Sequence, residues 1–198
     1  LTSAHEGPDP ISHWYVQSKY VQDSTLKSRL GPNGQLNSTP RFIADSGGNS
    51  LIFEGRNAGC ILAKDVKTAT PFLPKREITI SAWFSIDTRQ SWGGILGFIQ
   101  DNADHEKGWV LGYDQKTFTF ALATTGVDDG DGKMTYFKAK TEYELGKLYH
   151  VTAVFDGETT ELYVNGVKEV SSGEQHGDID YPKSAIYSMR LYLDSNER

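Results

Sequence analysis

Cysteine is nearly missing from this chain: among 198 residues there is one, Cys60. An internal disulfide is therefore excluded, and so is any metal site that needs two thiolates. Methionine is almost as scarce, with two residues. Long apolar runs are absent as well. The stretch from Ile95 to Ile99, with a glycine inside it, is among the longest, and a bilayer-spanning helix needs about 18 residues. No membrane span is expected. Nor is there a Lys/Arg stripe: 20 basic residues face 26 acidic ones, for a formal charge of -6. The positive field that gathers phosphate backbones is lacking, which argues against nucleic acid as a partner. The chain opens at Leu1 with neither methionine nor an apolar signal core, so it reads as a mature N-terminus or a piece of something longer.

What the chain has in quantity is glycine and flat side chains: 20 Gly, 10 Tyr, 9 Phe and 4 Trp. That composition points to turns and strands rather than a helical bundle. Residues 1–10 (LTSAHEGPDP) carry two prolines and no periodicity, and read as a lead-in or linker tail. Residues 11–198 read as one domain. Between Ile11 and Leu36 the pattern is ambiguous: HWYVQSKYV fits a helix or a strand, and GPNG at 31–34 is a turn. Beyond it, strand-length segments recur at 50–55, 60–66, 77–87, 93–101, 108–114, 117–126, 134–140, 148–157, 159–170 and 185–195, each ending in turn residues. About ten strands at such spacing, with no crossover helices, predict an all-β, two-sheet antiparallel sandwich. Within EITISAWFSID, Ile78, Ile80, Ala82, Phe84 and Ile86 share one face. Thr79, Ser81, Trp83 and Ser85 share the other. FDGETTELYVNG predicts a hairpin, with DG and NG at the left-handed turn positions.

The runs EITISAWFSID, GWVLGYD and YHVTAVFDGETTELYVNGVKE together resemble the laminin-G-like jelly roll of the concanavalin A-like lectin and glucanase superfamily. The likeness covers residues from about 40 to 198, and its most specific part is the hairpin at 150–166. WGGILGFIQDNADHEKGWVLGYD and LYLDSNER look like a variety met in large exported planctomycete-type proteins, joined there to metallophosphoesterase or cytochrome-like modules. The resemblance implies an extracellular or periplasmic location. It also implies a further strand, following Arg198, that pairs back into the sheet. An incomplete sandwich would leave an apolar edge open. The expectation is that a C-terminal segment or partner chain completes it; the alternative is that an N-terminal strand closes it.

Four groups are candidates for function. In DNADHEKGW, Asp101, Asn102, Asp104, His105 and Glu106 precede Trp109, and in GVDDGDGKM, Asp128, Asp129 and Asp131 alternate with glycines. Such oxygens suit calcium, which family members also bind. The metal candidates are Asp101, Asp104, Asp128, Asp129 and Asp131, although EF-hand spacing is absent because counting from Asp129 reaches Lys140. The plain alternative for both loops is a hydrated turn. Trp92, Trp109, Tyr113 and Tyr136 lie near strand ends or acidic loops, where rings stack on sugars while acids and amides take the hydroxyls; their alternative is packing between sheets. His150 with Asp156 reads more simply as a strand histidine than as a catalytic pair. The E-x-D-x-(x)-E string of glucanases with this fold is absent, as are G-x-S-x-G and H-E-x-x-H. The expected function is thus a non-catalytic module that binds polysaccharide through Trp92, Asp101, Asn102, Glu106, Trp109 and Tyr113. Its rivals are a structural domain docking a catalytic partner and a metal-assisted hydrolase using His105 or His150.

Overall fold

A computed structural model describes residues 9–45, 48–54, 58–102, 105–184 and 186–193. Among them the N-terminal strands are short: β1 (His13–Trp14), β2 (Val21–Gln22), β3 (Thr25–Leu26), β4 (Ser28–Leu30) and β5 (Gly34–Leu36). Next come the hairpin β6 (Arg41–Asp45) and β7 (Gly48–Ile52), then β8 (Cys60–Ala63) and a single helical turn, α1 (Val66–Ala69). The long strands follow: β9 (Ile78–Phe84), β10 (Trp92–Asp101), β11 (Glu106–Asp114), β12 (Thr117–Ala123), β13 (Met134–Glu142), β14 (Tyr149–Phe155), β15 (Thr160–Val164), β16 (Val167–Ser172) and β17 (Met189–Leu193).

The strands assemble into two main antiparallel sheets. One has nine strands in the order β13-β12-β11-β10-β17-β8-β5-β3-β2, and the other has four in the order β16-β15-β14-β9. Two-stranded pairs β1-β4 and β6-β7 stand beside them. The interior is formed by alternate residues of both sheets, among them Phe98, Trp109, Leu111, Phe118, Phe120 and Leu122 from the large sheet and Ile80, Val151, Phe155 and Leu162 from the small one. Period-2 alternation produces this: in β14, Tyr149, Val151, Ala153 and Phe155 are buried, while the residues between them are half-exposed. The predicted sandwich is present.

The predicted hairpin is present too. β14 and β15 pair from Val151↔Val164 to Phe155↔Thr160, and Gly157 takes φ 93° in the loop between them. Asn165 and Gly166 both take positive φ in the turn from β15 to β16, as a two-residue hairpin loop requires. Cys60 is fully buried on β8, under Gly34 of β5, where an added Cβ would lie 2.2 Å from its Sγ.

The edges of the sandwich differ. On one side Glu169 of β16 reaches across to the large sheet, where its Oε2 accepts from the main-chain N–H groups of Lys140 (2.7 Å) and Thr141 (2.8 Å) of β13. On the other side the small sheet ends at β9, whose main-chain ladder among the described residues is with β14 alone. The N-terminal strands β2, β3 and β5 extend the nine-stranded sheet. Residues 173–181 strap the two sheets together. Within them buried Gln175 accepts from the Thr124 hydroxyl (2.6 Å) and donates to Lys133 O (2.9 Å) and to Thr135 Oγ1 (3.0 Å).

Candidate functional site

The rings chosen from the sequence as sugar platforms are interior. Trp92, Trp109 and Tyr113 are 3%, 2% and 4% exposed, which corrects the expectation that they stack on a ligand. The reason is strand alternation. Trp109, Leu111 and Tyr113 point between the sheets, where the Trp109 indole N–H donates to the Tyr181 hydroxyl at 3.2 Å, which itself donates to Pro74 O at 2.7 Å. Burial raises the Tyr181 phenol well above its ordinary range. Tyr113 packs edge-on against Tyr143, in space left by Gly93, where an added Cβ would lie 2.3 Å from the Tyr113 ring.

Trp92 lies on the opposite, outward face of the large sheet, where apolar neighbours bury it. It clusters with Ile99, Val110, Ala121, Ala123 and Met134, and Tyr136 packs against the group. Asp101 accepts a hydrogen bond from the Tyr136 hydroxyl, so the structure does bring Trp92, Asp101 and Tyr136 to one face. Nearby Asp114 accepts from Lys138 Nζ at 2.8 Å and from the N–H groups of Lys116 and Thr117 at 2.9 Å each. Burial pushes its carboxyl up, but Lys138 and the two backbone donors outweigh that and hold it at about 2.

The acidic loops are engaged internally. Glu106 Oε2 accepts from Met134 N (2.7 Å), Asn102 Oδ1 accepts from His105 N (3.2 Å), and Asn102 Nδ2 donates to the Tyr187 hydroxyl (2.9 Å). Asp128 accepts from the N–H groups of Gly130 (2.9 Å) and Gly132 (2.8 Å), which holds its carboxyl below the usual range. Asp131 lies 3.6 Å from His105, and Asp129 is exposed on the same turn. Asp104 lies outside the described residues. Among the described residues no three His, Cys, Asp or Glu side chains converge as a metal-ligand group.

The outward face of the four-stranded sheet is different in kind. Trp83 of β9 is 67% exposed, and its ring stacks on His150 of the adjacent β14 at 4.8 Å between centroids, 27° from parallel. His150 is fixed from two sides: Nε2 lies 2.6 Å from Ser81 Oγ, and its main-chain N–H donates to Asn165 Oδ1 at 2.9 Å. The Thr152 hydroxyl donates to Ser81 Oγ at 3.2 Å. Across the ladder from Thr152 stands Tyr163, whose hydroxyl donates to Glu161. Lys168 Nζ bonds the same carboxylate at 2.7 Å. Those two partners lower the Glu161 carboxyl, and Glu161 in turn raises Lys168 and Tyr163.

The face therefore carries an exposed indole at one end, a row of hydroxyls from Ser81, Thr152 and Tyr163, and a carboxylate–ammonium pair beyond. Such a ledge can offer a flat apolar surface to the C–H face of a ring and hydrogen-bonding groups to its hydroxyls. The sequence placed Trp83 on the polar side of its strand but did not select it. The missing piece was its neighbour, since the register that sets His150 beside it joins strands 67 residues apart in the chain.

Comparison with known proteins adds the following. A family model described as the concanavalin A-like lectin/glucanases superfamily, of the laminin G type, matches residues 58–195. Human and mouse pappalysin-1 are each 28% identical over 144 residues, which is 67% of this chain and 8% of theirs. Among solved structures, domain 4 of an extracellular GH43 arabinanase from Geobacillus stearothermophilus, in complex with arabinotriose, superposes with a TM-score of 0.53. It is 15% identical, with 78% of this chain and 66% of that chain covered. The Trypanosoma rangeli sialidase in complex with the inhibitor DANA gives 0.56 at 16% identity, covering 93% of this chain and 26% of that one. At those identities the likeness is one of fold.

Proposed function

Because the chain belongs to the concanavalin A-like lectin/glucanases superfamily, we propose that it is a carbohydrate-binding module whose ligand lies on the outward face of the four-stranded sheet. The observation that carries this reading is the exposed Trp83 ring, propped by His150 beside the hydroxyls of Ser81, Thr152 and Tyr163. A stacked, hydrogen-bonded support keeps the indole in place before a ligand arrives, which reduces the ordering cost of binding. The fold shared with an arabinotriose-bound domain supports the class of ligand. The module works outside the cell as part of a longer protein; the extracellular arabinanase and the far longer pappalysins support that context.

The test is a glycan array followed by calorimetry on any hit. Trp83→Ala is expected to weaken binding by about 1 kcal/mol or more, roughly fivefold, while Trp83→Phe retains most of it. Unchanged affinity in a folded Trp83→Ala chain would move the ligand away from this face.

A further inference from the structure

The polar groups on the outward face of the small sheet form one row. Ser81 of β9, Thr152 of β14, Tyr163 of β15 and Lys168 of β16 stand in register, each directly across the ladder from the next. A hydroxyl has one proton to donate and lone pairs with which to accept. Along this row the protons are committed within the protein. Thr152 donates to Ser81 Oγ at 3.2 Å, Tyr163 donates to Glu161, and Ser81 Oγ is held by His150 Nε2 at 2.6 Å. What Thr152 and Tyr163 still offer outward is acceptor capacity. Such oxygens take a ligand's O–H groups and repel its carboxylates or sulfates, which carry acceptors alone.

The cations beside the row are committed in the same way. Lys168 Nζ lies 2.7 Å from Glu161 Oε1 while the Tyr163 hydroxyl takes Oε2, so both oxygens of Glu161 are engaged. At the end of the sheet away from Trp83, Arg76 pairs with Glu158 at 2.6 Å. Asp156 lies there too, accepting from Glu158 N (2.9 Å) and Thr159 N (2.7 Å), and it acts on Glu161 through space. Two cations thus stand among three carboxylates.

Resting on the carbohydrate-binding reading of this face, we propose that it selects uncharged glycans, and that Glu161 is the residue that turns acidic ones away by holding Lys168 and presenting like charge. A uronate or sulfate laid along the row has to take Lys168 from Glu161 and then lie against the carboxylate it displaced. Like charges brought together at an interface suppress the wrong partner more than they alter the right one. A neutral chain meets neither obstacle. Its C–H face lies on Trp83, and its hydroxyls donate to Thr152 and Tyr163.

The test is calorimetry with matched oligosaccharide pairs, each a neutral chain and the same chain with C6 oxidised to a carboxylate, long enough to reach from Trp83 to Lys168. The unaltered chain is expected to bind the neutral member about tenfold more tightly at low salt, and the gap narrows as salt screens the repulsion. Glu161→Gln releases Lys168 and is expected to shrink the gap about fivefold. An oxidised member that binds the unaltered chain as tightly as its neutral partner overturns the proposal, and so does a gap that Glu161→Gln leaves unmoved. Where Trp83→Ala abolishes the binding in either case, the carbohydrate-binding reading of the face still stands. Binding that survives Trp83→Ala unweakened, or no binding by any pair, overturns that reading and this proposal together. If Glu161→Gln fails to fold, the salt titration of the unaltered chain decides: a gap that salt does not narrow rejects selection by charge.

Discussion

Single residues here are decided by which side of a strand they occupy more than by their chemistry. Trp83 and Trp109 are the same side chain on neighbouring kinds of strand, yet one is a surface platform and the other a core block hydrogen-bonded to Tyr181. The sequence made Trp83's side visible because EITISAWFSID alternates cleanly. It hid Trp109's side because β11 is buried on both faces, so GWVLGYD has no polar face to read. Asp114 shows what a carboxylate does when it faces donors. Its folded value of about 2 lies below the ordinary 3.8, so its contribution to stability is present above pH 4 and is lost as pH falls toward 2. Asp114→Asn is expected to lower stability at neutral pH by about 1–2 kcal/mol. Below pH 2 the difference from the unaltered chain should vanish in urea melts.

Among the elements, the hairpin from β14 to β16 was the most legible part of the fold. Its turn residues are local, and Asn and Gly readily adopt the positive φ at 165 and 166. Gly166→Ala, which keeps a Cβ out in open space but strains the backbone, should cost about 1 kcal/mol in thermal or chemical melts. The N-terminal third was the least legible. There, from β1 to β5, the strands are two or three residues long, too short to show a period, and β5 finds its partners at Thr25 and Cys60 rather than next door. The turn α1 did leave a signal that was passed over: Asp65 and Thr68 stand three apart and cap each other reciprocally. At the closed edge, Glu169→Ala removes the acceptor of two β13 amides. A loss of about 1–3 kcal/mol is expected, and faster amide exchange at Lys140 and Thr141 would mark its origin.

The molecule as a whole is held by a shared interior and by a strap. Lys107 of β11 pairs with Asp180 of the strap, their side chains 15% and 12% exposed, and Gly108 N–H donates to Asp180 O at 2.6 Å. Removing one member of so enclosed a pair leaves the other charge stranded, so Lys107→Ala should cost about 3–5 kcal/mol in urea unfolding. Neither partner was readable from sequence, because they lie 73 residues apart and nothing local joins them.

The single thiol turns the buried joint between β5 and β8 into a clock. Burial pushes Cys60 up to about 12, so in the closed protein almost no thiolate is available to an alkylating reagent near neutral pH. Reaction must wait until the interior around Cys60 opens, and with excess reagent the labelling rate counts those openings. With no second cysteine in the chain, mass spectrometry reads that count as one adduct per molecule, with no engineered probe.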